Sequence, residues 1–416
     1  MISIVKKIIL LILFSVSVNY VFADWIWTKK TSLPLGNKRD RAVSFSINGW
    51  GFLGTGLDSA NLVRADFWKY DTLTDAWSQV ADFPGVPRRD AVAFVIDSFG
   101  YVGTGIADSS AWGSTLMDFY KYNPYNNSWD SIAPYSNGTA YGVYKAVAGS
   151  AAGKGYVITG RYFGTPFYQT WMYDPALNYW IQKADFPVYY GRNGAVSFSI
   201  GTKIYLTTGS DDNYFYNDLW EYDVVSDAWS QKQNFPGTSR IGAVGFTIDT
   251  VGIVGSGTDG GYTNDFWAYN PAINSWSYVN QFPGDARRGA TAFTVSKNGY
   301  LTCGKSAFGT KRDLWQLKYK APQLPNNINT VTTGNSIFLY PNIVSYNTFI
   351  HLAYGGNKKT EILIYSSLGK LIYKTSYQVS EIFISPEIFS ASGEYFVGIK
   401  NTTDHSALTF QKLIVL

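Results

Sequence analysis

Apolar and polar positions alternate along this chain in short runs. Ala42-Val43-Ser44-Phe45-Ser46-Ile47 and Gly51-Phe52-Leu53 are joined by Asn48-Gly49, the pattern of a β-hairpin. The hairpin returns in a strict register. Ala42, Ala91, Ala146, Ala195, Ala243 and Ala290 each stand fourteen positions before a glycine: Gly56, Gly105, Gly160, Gly209, Gly257 and Gly304. A loop of variable length follows, then a strand such as Phe67-Trp68-Lys69-Tyr70, a tight turn, and a fourth strand opening at a tryptophan. Asp66…Trp77, Asp118…Trp129, Gln169…Trp180, Asp218…Trp229 and Asp265…Trp276 all keep a spacing of eleven, and the units recur every 47 to 52 residues. A sixth unit is split: Asp313 has no Trp eleven positions on, and Trp27 has no acid eleven positions before it. A repeat whose first fragment completes its last describes a closed ring. The pattern predicts an all-β fold, a six-bladed β-propeller over 24–320, with Trp27-Thr28-Lys29-Lys30 as the outer strand of the last blade.

Most units close on an aromatic-Pro step, as in Phe83-Pro84, Phe186-Pro187, Phe235-Pro236 and Phe282-Pro283. The paired glycines around a small residue (Gly54-Thr55-Gly56, Gly103-Thr104-Gly105, Gly255-Ser256-Gly257), the acid-aromatic-x-Tyr strand and the spaced Trp together resemble the kelch family. The resemblance implies a propeller scaffold whose function is set by its loops.

Residues 1–23 read as a secretory signal peptide, with Lys6-Lys7, the apolar Ile8–Val18 segment and Val21-Phe22-Ala23 before the cleavage point. Residues 321–334 form a polar linker, and 335–416 hold short strands without the repeat, which predicts a small β-sandwich. This last segment resembles the C-terminal sorting domain of the type IX secretion system of Bacteroidota. The matching residues are Tyr340-Pro341-Asn342, Ile364-Tyr365-Ser366-Ser367-Leu368-Gly369-Lys370, Ser392-Gly393-Glu394-Tyr395-Phe396-Val397 and Gln411-Lys412-Leu413-Ile414. The resemblance implies export through that machinery to the cell surface or the medium. No transmembrane segment is expected after signal cleavage.

Composition narrows the chemistry. A formal charge of +4, from 34 basic and 30 acidic residues, gives no footprint for nucleic acid. Cys303 is the single cysteine, so no intrachain disulfide forms. Both histidines, His351 and His405, fall in the C-terminal segment. The propeller therefore offers no His/Cys metal set and no Ser-His-Asp arrangement, and no metal, cofactor or catalytic residue is expected. Glu221, the one glutamate of the propeller, lies mid-strand and away from the mouth.

One positive feature remains. Three residues before each register alanine stand Arg39, Arg88, Val143, Arg192, Arg240 and Arg287, where the innermost strand begins at the channel mouth. The loops after the glycines bring Arg161, Tyr162, Trp112, Tyr214 and Tyr262 to the same end. One reading is an arginine-lined, aromatic-walled pocket for an acidic saccharide or peptide carboxylate. The other is that each Arg pairs with the Asp opening the third strand. Unit three lacks both partners, having Val143 and Gln169. The leading functional expectation is a non-catalytic surface module binding a glycan or a protein. The alternative is a carbohydrate enzyme such as a sialic-acid mutarotase, and the third reading is a structural or adhesive protein.

Overall fold

The computed structural model describes residues 24–107, 115–188 and 191–320, with 388–389 and the strands lying between Ile337 and Val415. The signal region, Trp112 and the 321–334 linker lie outside the described residues. The chain divides into two compact units, residues 1–324 and 325–416.

The first unit contains six antiparallel four-stranded sheets among its described residues. Blade 1 runs Val43–Ile47, Trp50–Gly54, Phe67–Asp71 and Ala76–Val80 from the inside outwards. Blades 2 to 5 repeat that order, beginning at Val92–Ile96, Val147–Ala151, Val196–Ile200 and Val244–Ile248. Blade 6 takes Thr291–Val295, Asn298–Thr302 and Leu314–Lys320 from the end of the array and Asp24–Lys30 from its start. Asp24–Lys30 pairs antiparallel with Leu314–Lys320 over its full length, with Trp27 opposite Leu317. The innermost strands touch in cyclic order, so the last blade also packs on the first.

Inner strands bury every second residue, while outer strands are mostly exposed. The blades lock together by a phenylalanine-on-glycine contact. A Cβ on Gly100 would sit 2.5 Å from the Phe45 ring of the preceding blade. Gly155 meets Phe94, Gly252 meets Phe198, Gly299 meets Phe246 and Gly51 meets Phe293, all at 2.0–2.2 Å. Between blades 3 and 4 the pair is inverted: Gly149 stands where the others have Phe, and Ile204 fills the space. The swap conserves volume, which cores tolerate better than a cavity or an overlap. Each such phenylalanine removes a whole side chain from water, about 1.5–3 kcal/mol of burial.

The spaced tryptophans are a second lock. Trp77 Nε1 donates to the Thr31 carbonyl at 2.8 Å, Trp129 to Ala81 at 3.0 Å, Trp180 to Ala133 at 3.1 Å, Trp229 to Ala184 at 3.0 Å and Trp276 to Gln233 at 2.9 Å. Trp27 reaches Asn280 O at 3.4 Å. Each acceptor lies just beyond the outer strand of the preceding blade. Two residues before each of the first five Trp, Asp75, Asn127, Asn178, Asp227 or Asn274 sits in the left-handed region and accepts the neighbouring backbone N–H. Asx side chains tolerate that conformation and can bond locally.

The second unit contains a three-stranded sheet, Ile337–Tyr340, Ile350–Tyr354 and Glu381–Ile384, and a five-stranded one. In the latter, Ile343–Val344 runs parallel to Thr409–Val415, which continues into Gly393–Asn401, Thr360–Ser366 and Leu371–Tyr377. Glu381–Ile384 and Ile343–Val344 are strands that the alternation alone did not single out.

Candidate functional site

The channel face is where inner strands begin and second strands end. Five arginines stand at this end, but they are not mouth residues. Arg39, Arg88, Arg192, Arg240 and Arg287 are 0–1 % exposed. Each forks onto the Asp of its own blade. Arg88 holds Asp118 at 2.7 and 2.6 Å, Arg287 holds Asp313 at 2.6 and 2.8 Å, Arg39 pairs with Asp66, Arg192 with Asp218 and Arg240 with Asp265. A further N–H of each guanidinium donates to the carbonyl sixteen residues on, at Thr55, Thr104, Thr208, Ser256 or Cys303. The Phe of the aromatic-Pro step stacks beneath: Arg88 lies 4.6 Å over Phe83 and Arg287 4.9 Å over Phe282. The ligand reading of these arginines is therefore corrected, because carboxylate, carbonyl and ring consume the guanidinium inside the blade. In blade 3, Val143 is fully buried and Gln169 accepts a bond from Trp171 Nε1 at 2.9 Å.

The same geometry explains the alanine-to-glycine spacing. Thr55 has φ 60° and Gly56 φ 94°, and a Cβ on Gly56 would lie 2.8 Å from the Asp40 carbonyl and 3.0 Å from Ala42 Cα. Only glycine fits there. Its N–H donates to Arg88 O of the next blade at 2.8 Å. Gly105, Gly160, Gly209, Gly257 and Gly304 repeat the bond around the ring, to Val143, Arg192, Arg240, Arg287 and Arg39.

A second cycle of backbone bonds lies at the axis. Arg41 N donates to Gly289 O, Asp90 N to Arg41 O, Lys145 N to Asp90 O, Gly194 N to Lys145 O, Gly242 N to Gly194 O and Gly289 N to Gly242 O, all at 2.8–3.1 Å. All six residues have φ between 51° and 61°. Immediately behind them the register alanines line a channel of about 190 Å³ walled by Ala, Val, Ser, Thr and Gly.

This ring is lopsided. Gly194, Gly242 and Gly289 contribute no side chains, whereas Arg41, Asp90 and Lys145 do, on consecutive blades. A left-handed conformation costs an ordinary residue about 1–2 kcal/mol. Strain kept at three positions where glycine serves the other three marks these side chains as functional candidates.

Around this arc gather Asp40, Arg89, Arg161 and Arg288. Arg41 touches Asp40 at 3.3 Å and Asp90 at 3.7 Å, Arg89 pairs with Asp90, and Arg161 with Asp212. Asp40 is 1 % exposed, and its Oδ1 has no hydrogen-bond partner among the described residues. Burial pushes its carboxyl up and Asp90 adds to that, against Arg41 and Arg288. Lys145 is half-buried, with no ion pair or side-chain hydrogen bond among the described residues. Burial pushes its ammonium down. Asp90 opposes this, while Arg41, Arg161 and Arg89 reinforce it.

Of the other residues singled out in the sequence, Arg161 belongs to this cluster. Tyr162 packs edge-on to Tyr141 at 5.9 Å, Tyr214 is 70 % exposed on its loop, and Tyr262 is half-buried. Trp112 falls outside the described residues. Glu221 is bonded by Tyr205 Oη at 2.6 Å and flanked by Lys232 at 3.2 Å, in the third strand of blade 4. Asp40, Arg41, Arg89, Asp90 and Lys145 escaped notice in the sequence. Their one signal was the pair of charges just before the register alanines of the first blades. Among the described residues, no group of His, Cys, Asp and Glu could hold a metal ion.

Residues 191–236, the fourth blade, match the model of the Kelch motif. The protein is a propeller carrying a kelch repeat. It is 26 % identical over 200 residues to an N-acetylneuraminate epimerase of Yersinia enterocolitica serotype O:8, covering 38 % of this chain and 50 % of that protein. The chain thus spans half the length of this curated relative. The solved structure of YjhT superposes with a TM-score of 0.58 at 19 % identity, over 70 % of this chain and 97 % of that one, a likeness of fold.

Proposed function

We propose that the propeller recognises a small carboxylated carbohydrate at the channel mouth, where Arg41, Lys145 and Arg161 meet its carboxylate and the glycine half-ring seats its body. The observation that carries this reading is Lys145, a half-buried cation without a carboxylate partner among the described residues, in a cluster where basic groups outnumber acidic ones. Such a group gains most from an incoming anion. The relative named for N-acetylneuraminate, a sugar acid, supports the same ligand class.

A second reading, turnover of that ligand by anomer interconversion, is favoured by two groups whose environments push them in opposite directions. Burial raises Asp40 and lowers Lys145, so both charged groups of the cluster are held away from their ordinary titration ranges. Export through the signal region and the type IX route belongs to this proposal on the sequence resemblance alone.

Titration of the full chain with N-acetylneuraminate by calorimetry tests recognition. Lys145→Gln is expected to weaken binding about tenfold or more, as for a lost charged hydrogen bond, and the methyl ester should bind as weakly to the parent protein. Ester and acid binding equally well would refute carboxylate recognition. NMR exchange spectra of the same samples report anomer interconversion, and a rate equal to buffer eliminates turnover.

A further inference from the structure

We propose that Lys145 is a nucleophilic amine that condenses with the carbonyl of a 2-oxo acid, including the open-chain form of a 2-keto sugar acid, held at the channel mouth. This rests on the reading that the mouth accepts a carboxylated ligand, and it assigns a covalent activity to that site.

Lys145 differs from the ion-paired lysines of the ring. Lys30, Lys154, Lys203, Lys232 and Lys311 each sit against a carboxylate: Asp75, Asp174, Asp223, Glu221 and Asp285. Such a partner stabilises the ammonium and silences the amine. Lys145 has none among the described residues, although Asp90 stands in the neighbouring blade, because Arg41 and Arg89 already occupy that carboxylate. The groups facing it are the cations Arg41, Arg89 and Arg161, with Asp90 as the counter-charge. A desolvated lysine beside other cations is the environment that makes an amine nucleophilic. Its backbone is pinned on both sides, with its N–H on Asp90 O at 3.1 Å and its carbonyl accepting Gly194 N at 3.0 Å. That fixes the point from which the side chain projects.

The step balances within the site. The free amine adds to the keto carbon, forming the C–N bond, and the carbonyl oxygen takes up the proton that the nitrogen loses. A second proton, from water, lets that oxygen leave as water and gives the iminium. Hydrolysis reverses every bond and returns the lysine. The ketone released from a sugar acid recloses onto either face, so the imine also provides a route between anomers.

The test incubates the full chain with pyruvate and sodium cyanoborohydride, which adds hydride to the iminium carbon and makes the link permanent. Peptide mass spectrometry is expected to find one modified lysine, Lys145, heavier by a pyruvate less one oxygen. Excess N-acetylneuraminate should suppress the labelling, and the Lys145→Arg variant, shown to be folded by circular dichroism, should lack it. An unmodified Lys145, or labelling no greater than at the exposed Lys297, overturns the imine. If N-acetylneuraminate still binds in that case, the recognition reading stands. If it binds nowhere, that reading falls separately.

Discussion

Replacing Arg287 by valine should lower the unfolding free energy by about 3–5 kcal/mol, the cost of stranding one half of a buried ion pair. The variant leaves Asp313 without its fork, and the Cys303 and Asp285 carbonyls without donors at 3.0 and 2.9 Å. Arg287→Val combined with Asp313→Gln should recover most of the loss. Blade 3 is the natural form of that double variant, with Val143 buried and Gln169 bonded to its own tryptophan. Urea unfolding of the parent, both singles and the double checks it. A double variant as unstable as the sum of the singles would show that the pair does not act as an isolated unit. Acid provides a second readout. Burial raises the Asp313 carboxyl, but the Arg287 bond and charge more than reverse this, so its folded pKa lies below the usual value. Its stabilisation is therefore complete above the unfolded pKa of about 4 and fades as pH falls through the folded one. The Arg287→Val protein should lose that part of the acid slope.

A chain beginning at Thr31 should show no cooperative thermal transition in calorimetry. Asp24–Lys30 is the fourth strand of blade 6, and its removal leaves Leu314–Lys320 as an open edge. It also takes away Trp27, which packs edge-on to Phe266 and Phe282 at 5.1 and 5.0 Å, and Trp25, which meets Tyr319 at 5.1 Å. The loss leaves an unpaired sheet edge in blade 6 and strips its Trp lock to blade 5. The milder Trp27→Ala is expected to cost about 3 kcal/mol, the lower end for a large aromatic because the ring is only partly buried. A truncated chain melting cooperatively within a few degrees of the parent would contradict the strand's role.

Much of the architecture was legible because strand structure writes itself locally. The alternation around Phe45, the Asn48-Gly49 turn and the acid-to-Trp spacing each lie within one unit, and repetition amplifies them. The joint departure of Val143 and Gln169 even carried the Arg–Asp pairing, since a lone buried charge would not survive its partner's loss. The inverted pair Gly149 and Ile204 was not legible. Its two members belong to different blades, and neither looks unusual in its own strand.

The candidate site fared worst for the same reason. Five arginines in register suggested a ligand-binding mouth, yet an arginine at a strand start can face its own blade or the channel. Only the three-dimensional course of Thr55-Gly56 and its equivalents, which turns a carbonyl onto each guanidinium, decides between them. Arg41, Asp90 and Lys145 are about fifty residues apart and share only their place, one residue before a register alanine. They become neighbours because a cycle of six backbone hydrogen bonds draws one residue from every blade to the axis. The sequence by itself determined the repeat, the ring and the blade that breaks the rule, since these follow from periodicity and local turn chemistry. The tertiary structure alone decided which charges gather at the axis, Lys145 among them, because that depends on distances closed only when the ring closes.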